Sequence, residues 1–139
     1  MTVSDDVLRE LLAMDRIAVV GCSSTPGKAA HEIPAYLQRQ GYEIIPVNPF
    51  TDEILGEPAV DSLQEIDSEV DLVNVFRPSE EVAGIVDDVI ARKNTAGDLE
   101  GLWLQLGIQD AEAETRAENV GLTVVSDRCL KVEHQRLQS

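Results

Sequence analysis

Short, nearly uninterrupted apolar runs separated by longer amphipathic stretches set the pattern of this chain. The runs fall at residues 17–20, 42–47, 70–76, 101–106 and 122–125. Each is apolar at successive positions instead of alternating, as expected of a parallel strand covered on both faces. Between them, hydrophobic residues recur at helical spacing over 29–40, 79–93 and 110–119, with shorter helices near 62–66 and at the C-terminus. An opening helix carries Val7, Leu8, Leu11, Leu12 and Met14, with Ser4 as its N-cap. Gly41 and Gly121 stand where a helix must end before the next strand begins. Pro34 lies inside the second helical stretch, where it removes one N–H and restricts Ile33, so that boundary stays open.

Strand and helix alternating over 139 residues predict one α/β domain covering 1–139. Right-handed crossovers make it a doubly wound, parallel five-stranded sheet with helices on both faces, in the expected order 3-2-1-4-5. Ligands of such sheets sit outside the carboxyl ends of the strands, where the order reverses. Candidate residues are therefore those following each strand: 21–28, Asn48 with Pro49, Arg77 with Pro78, 105–107 and 127–131.

Charge narrows the partners. The chain has 26 acidic and 11 basic residues, a net charge of −15, and only three lysines, Lys28, Lys93 and Lys131. Binding nucleic acid needs a basic face, so no nucleic acid partner is expected. The acids are dispersed, as in halophilic proteins, where salt screens self-repulsion; stability is expected to rise with salt. No apolar run approaches the roughly 20 residues that span a bilayer, and the acidic N-terminus lacks the order of a signal peptide. A cytoplasmic protein without membrane contact is expected. Cys22 and Cys129 form no C-x-x-C pair and are read as reduced thiols, and with His31 and His134 they match no metal-ligand spacing.

Residues 15–27, DRIAVVGCSSTPG, carry the strongest local signal. A strand stops at Gly21, a small turn-rich loop follows, and a helix starts. Free N–H groups and the helix dipole make such a junction an anion site. Gly21, Ser23, Ser24, Thr25 and Lys28 supply small side chains, hydroxyls and one cation, which suit phosphate oxygens. The loop departs from G-x-G-x-x-G because Ser23 replaces the second glycine, and Asn48 stands where a nicotinamide dinucleotide site presents an acid to the ribose. A nucleotide-type ligand other than NAD follows.

Other positions leave alternatives open. Asn48 serves either a ligand or an Asx-turn fixed by Pro49. Arg77, between Phe76 and Pro78, meets a phosphate or pairs with neighbouring acids, and Ser79 is the expected cap of the next helix. Trp103 and Gln105 share one strand face, opposite Leu102, Leu104 and Leu106; Trp103 is read as core and Gln105 as reaching ligand or loop backbone. The cluster Asp127, Arg128, Cys129, Lys131, Glu133 and His134 invites a thiol-enzyme reading. Cys129 and His134 lie about 140° apart on a helix, with no third group to orient them, so catalysis is not assigned to them. The apolar opening helix suits either a sheet cover or a subunit contact, which leaves a homo-oligomer or a partner enzyme open.

Taken together, VVGCSSTPGK, GYEIIPVNP, EILGEPAV, VDLVNVFR, WLQLG and DRCLKVEH, in that order from about Asp15 to His134, resemble the stand-alone CoA-binding domain family. That family is related to the N-terminal CoA-binding domain of the succinyl-CoA synthetase α subunit. The resemblance implies a Rossmann-like sheet with coenzyme A across its carboxyl edge. Carried over, Gly21, Ser23, Ser24 and Lys28, with Cys22 between them, match the phosphate loop. Asn48 and Pro49 match the turn after the second strand, and Phe76, Arg77 and Pro78 the turn after the third. Trp103, Gln105, Cys129 and His134 match signature positions, with Gln105 expected beside the cofactor. The synthetase's phosphorylated histidine lies in another domain, so its activity does not transfer with the fold. The expectation is a non-catalytic module for CoA or an acyl-CoA; the alternatives are an acyl-CoA enzyme using Cys129 or a nicotinamide dinucleotide binder.

Overall fold

Five apolar runs pair into one parallel sheet in a computed structural model that describes residues 3–138. In chain order the strands are β1 (Arg16–Val20), β2 (Glu43–Val47), the hairpin pair β3 (Glu53–Ile54) and β4 (Glu57–Pro58), β5 (Leu72–Val75), β6 (Gly101–Leu104) and β7 (Thr123–Val125). The helices are α1 (Asp5–Leu12), α2 (Ala29–Arg39), α3 (Val82–Ala96), α4 (Ala111–Asn119) and α5 (Leu130–Gln138), with 3₁₀ turns at Leu63–Glu65 and Ser79–Glu81. No helix among the described residues is long and apolar enough to cross a membrane.

The sheet order is β2-β1-β5-β6-β7. Counting only the five parallel strands, this is 2-1-3-4-5, which corrects the expected 3-2-1-4-5. Burial explains the difference. Every residue of β5 is buried, whereas β2 begins exposed and is only partly covered. A third strand placed outside β2 would leave an apolar run at the edge; between β1 and β6 it is covered on all sides. Its register sets Val20 beside Val75 and Val75 beside Leu104. The outer side of β2 instead receives Val60, whose N–H donates to Pro46 O (3.0 Å) while Asn48 N–H donates to Val60 O (2.8 Å). The order therefore reverses between β1 and β5.

Two apolar layers sandwich the sheet. One joins Val73, Val75, Leu102 and Leu104 to Val82, Val86 and Val89 of α3 and Ala113 and Ala117 of α4. The other joins Ile17, Val19, Leu72 and Trp103 to Leu8, Leu11 and Leu12 of α1, Ile33 and Leu37 of α2, and Leu130 of α5. The opening helix thus covers the sheet within the chain, capped by Ser4, whose Oγ accepts Val7 N–H at 3.3 Å. A Cβ on Gly101 would lie 2.5 Å from Leu11 Cδ2, so this strand glycine lets α1 approach.

Ser79 acts differently from expectation, Pro34 settles a boundary that the sequence left open, and Arg92 takes a part that the sequence reading did not assign. Ser79 does not cap a helix: α3 starts at Val82 after a 3₁₀ turn, and Ser79 Oγ accepts Gln109 N–H at 3.0 Å. Pro34 leaves α2 continuous, and the carbonyl that its missing N–H would engage, Ala30 O, accepts Ser23 N–H at 2.9 Å. Arg92, 4% exposed, continues the apolar stripe of α3. Its guanidinium pairs with Asp98 at 2.8 Å and donates to the carbonyls of Leu63, Ile66 and Ser68. Burial works to raise the Asp98 pKa, but Arg92 and the Val70 N–H outweigh it and hold the carboxyl below its ordinary value.

The C-terminal helix is stapled by polar groups. His134 Nδ1 and the Tyr36 hydroxyl share a hydrogen bond at 2.7 Å, the Tyr42 ring packs edge-on against the imidazole, and the Tyr42 hydroxyl donates to Leu12 O. Burial depresses the His134 pKa below its ordinary 6.5. As pH falls, the unfolded chain takes up this proton first, so the stabilisation is complete above about pH 6.5 and lost from there down toward the folded value. The stability gap between wild type and His134→Gln, measured by urea unfolding, is expected to narrow between pH 7.5 and 5.5. A constant gap would show that the folded state does not hold the ring neutral.

Candidate functional site

The reversal between β1 and β5 opens a cleft of about 640 Å³ at the carboxyl edge. That volume lies in the range of small-molecule sites. Its walls come from the β1–α2 loop, the turn after β2, the segment at Asp61 and Ser62, and the Phe76–Arg77 turn with the first turns of α3.

The floor is set by Gly21, whose φ of +83° few other residues adopt. Its N–H donates to Val47 O at 3.1 Å, and a Cβ here would lie 2.8 Å from Arg77 Cδ. Glycine thus gives the turn its shape and lets the arginine stem cross behind it. The rest of the loop is tied to α2. Beside the Ser23–Ala30 bond, His31 Nδ1 donates to Ser23 O at 2.8 Å and Gly27 N–H donates to Glu32 Oε2 at 3.1 Å. Those bonds use two of the loop's donors internally. The N–H groups of Cys22, Ser24, Ala29 and Ala30 find no acceptor among the described residues. Two of them open the first turn of α2, where the helix dipole is positive. Lys28 is the N-cap residue, exposed and without an ion pair among the described residues.

Asn48 forms the turn, and it also lines the cleft. Its Oδ1 accepts Phe50 N–H at 2.8 Å, and its Nδ2 donates to Cys22 O at 2.9 Å, binding the β2 turn to the β1 loop. Arg77 forms a two-pronged pair with Glu81, Nε to Oε1 at 3.1 Å and Nη2 to Oε2 at 2.6 Å. This hydrogen-bonded pairing raises the arginine's pKa and lowers the glutamate's. The cleft carries Lys28 and Arg77 against Asp61, Glu81 and Asp88, so its cations are outnumbered.

Of the residues expected at a ligand, Gly21, Cys22, Ser23, Lys28, Asn48, Pro49, Phe76 and Arg77 line this cleft. Ser24 and Pro78 are exposed just outside its lining. Gln105 is buried in the sheet layer, where its Oε1 accepts from Asn74 Nδ2 (3.4 Å) and Leu130 N–H (3.3 Å). Asn74 itself is fully buried, and its Oδ1 has no hydrogen-bond partner among the described residues. The Cys22 side chain is fully buried and burial pushes its thiol up to about 12, so it is protonated at neutral pH. Phe50 and Asp61, which were not singled out from the sequence, also line the cleft, as does Glu81, one of the acids neighbouring Arg77.

The polar cluster near the C-terminus is tied into hydrogen bonds and ion pairs. Asp127 Oδ1 accepts Gly107 N–H, Arg128 pairs with Glu133, and Arg136 bridges Glu133 to Asp5 of α1. His134 is engaged by Tyr36. Cys129 instead borders an open groove of about 1320 Å³ along β7, whose charged lining is Asp110, Glu114, Glu118, Asp127 and Glu133 with Arg128. A mainly acidic groove is a poor anion site, which leaves the carboxyl-edge cleft as the candidate.

A doubly wound sheet with a glycine turn and an open helix N-terminus at its switch point is an arrangement suited to phosphate-bearing ligands. Residues 15–135 match the family model of the CoA binding domain, and the chain belongs to that family. It is 43% identical over 128 residues to the Bacillus subtilis (strain 168) protein YneT, covering 91% of each chain. A solved structure from Thermus thermophilus superposes with a TM-score of 0.89 at 40% identity, covering 97% of this chain and 99% of that one. An ADP-forming acetate–CoA ligase of Archaeoglobus fulgidus is 31% identical over 120 residues, covering 82% of this chain and 17% of the ligase.

Proposed function

We propose that this protein binds coenzyme A or an acyl-CoA in the carboxyl-edge cleft and has no catalytic activity of its own. The observation that carries the reading is the β1–α2 junction: N–H groups of Ala29 and Ala30 and a Lys28 ammonium, all unpaired among the described residues, above a Gly21 turn. These groups fit a pyrophosphate, which wants several donors and a positive charge. Family membership names the ligand class. Arg77 supplies a second cation once it leaves Glu81. The Cys22 thiol that lines the cleft is buried and protonated, which does not suit it as a nucleophile. In this role the module presents the cofactor to a partner enzyme or responds to its concentration.

Calorimetric titration with CoA in molar KCl, with NAD and ATP as competitors, tests the reading. Micromolar or tighter binding that NAD does not displace is expected; absence of heat on folded protein overturns it. Incubation with acetyl-CoA separates module from enzyme, since the thioester absorbance is expected to persist and its loss would assign turnover.

Glu81 competes with an incoming phosphate for Arg77. Glu81→Gln is therefore expected to tighten CoA binding by up to about fivefold, because an exposed ion pair of this kind holds roughly 0.2–1 kcal/mol. Unchanged affinity would remove Arg77 from the site.

A further inference from the structure

Phe50 is 93% exposed, more than any other large apolar side chain among the described residues. The other aromatic side chains are placed otherwise: Trp103 is buried, Tyr36 and Tyr42 pack against His134, and Phe76 is partly buried against the core. Phe50 belongs to neither apolar layer and packs on no other ring. Yet its backbone is fixed. Pro49 restricts the turn, Asn48 Oδ1 holds the Phe50 N–H, and Asn48 is tied in turn to Cys22 O and Val60 O. A rigid turn thus holds a bare phenyl ring at the rim of the cleft that contains Lys28 and Arg77.

We propose that Phe50 is a stacking platform for the purine of a nucleotide ligand whose phosphates lie at Lys28 and the N-terminus of α2. The proposal rests on the CoA reading and extends it to the base. A ring face accepts any flat heteroaromatic base, and stacking on it shields an apolar surface that otherwise stands in water. Asp61 borders the same turn, because Asn48 N–H is bonded to the carbonyl of the preceding residue, Val60. A carboxylate there suits an exocyclic amino group and repels a phosphate, which gives the cleft a base end and a phosphate end. The acids of an anion-binding cleft thereby find a place.

Wild type, Phe50→Ala and Phe50→Trp are titrated with CoA, adenosine 3′,5′-bisphosphate and 4′-phosphopantetheine. Phe50→Ala is expected to weaken CoA and the bisphosphate about fivefold or more, the effect of removing one aromatic ring from under one base, and to leave phosphopantetheine unchanged. Phe50→Trp is expected to retain affinity, with indole fluorescence changing on CoA addition beyond the wild-type response. Equal CoA affinity in wild type and Phe50→Ala, or an equal loss for phosphopantetheine, overturns the platform while leaving CoA binding intact. Wild type that binds the bisphosphate but not CoA, with the bisphosphate lost in Phe50→Ala, overturns the CoA reading and supports the platform. Absence of heat with both nucleotides overturns both. Because the side chain is almost fully exposed, the variants are expected to melt as wild type does.

Discussion

Lys28→Ala is expected to weaken CoA binding by tenfold to about a hundredfold. A hydrogen bond to a charged group contributes roughly 1.5–3 kcal/mol, and among the described residues the ammonium is the one cation of the cleft not already paired with a carboxylate. Arg77 must first leave Glu81, so it cannot replace Lys28 without loss. The substitution touches an exposed side chain that makes no capping bond, so the fold is expected to remain as it is. Calorimetry with CoA on both proteins checks this, with dephospho-CoA as a second ligand to locate the lysine. If only CoA weakens, Lys28 meets the 3′-phosphate; if both weaken alike, it meets the pyrophosphate. Equal affinities of wild type and variant for CoA would exclude Lys28 from the site.

Arg92→Ala is expected to cost about 3–5 kcal/mol of stability, the range found when one partner of a buried ion pair is removed. The loss has two sources. Asp98 would stay buried without its cation, and the carbonyls of Leu63, Ile66 and Ser68 would lose their donor together. Urea unfolding of the variant measures the effect, and a change below 1 kcal/mol would show that water replaces the guanidinium at little cost. These carbonyls follow Asp61 and Ser62 in the chain, so the same arginine braces one wall of the cleft from behind. CoA affinity is expected to fall along with stability.

The elements of this fold are legible because their hydrophobic periods differ so clearly. Continuous runs became parallel strands, spaced runs became helices, and the Gly21 turn emerged where a strand stopped. Strand order was not legible from the same pattern. It depends on which strand is buried on every side, and the runs at 70–76 and 42–47 each carry one acid, Asp71 and Glu43, and one further interruption, Asn74 and Pro46, so the pattern does not rank them. Arg77 was legible only as meeting a phosphate or pairing with neighbouring acids; which acid it takes, Glu81, depends on the turn that opens α3. Arg92 also left a signal, since it follows Val82, Val86 and Val89 on one helix stripe where an unpaired charge would be costly. Gln105 was placed at the carboxyl edge by sequence position, but a side chain's direction depends on its neighbours, here Asn74 and Leu130. Phe50 was hidden because a single aromatic in a turn carries no period.

Pro34 has a dynamic consequence. By leaving Ala30 O to the Ser23 N–H, it makes a loop amide part of the hydrogen-bond ladder of α2. The loop and the first turns of the helix must then open together, as one cooperative unit, with Ser23 exchanging its amide proton at the pace of the helix. A ligand bound in the proposed site would meet this loop already arranged, so little ordering entropy would be lost on arrival, and association would be governed by diffusion into the cleft and by the release of Arg77.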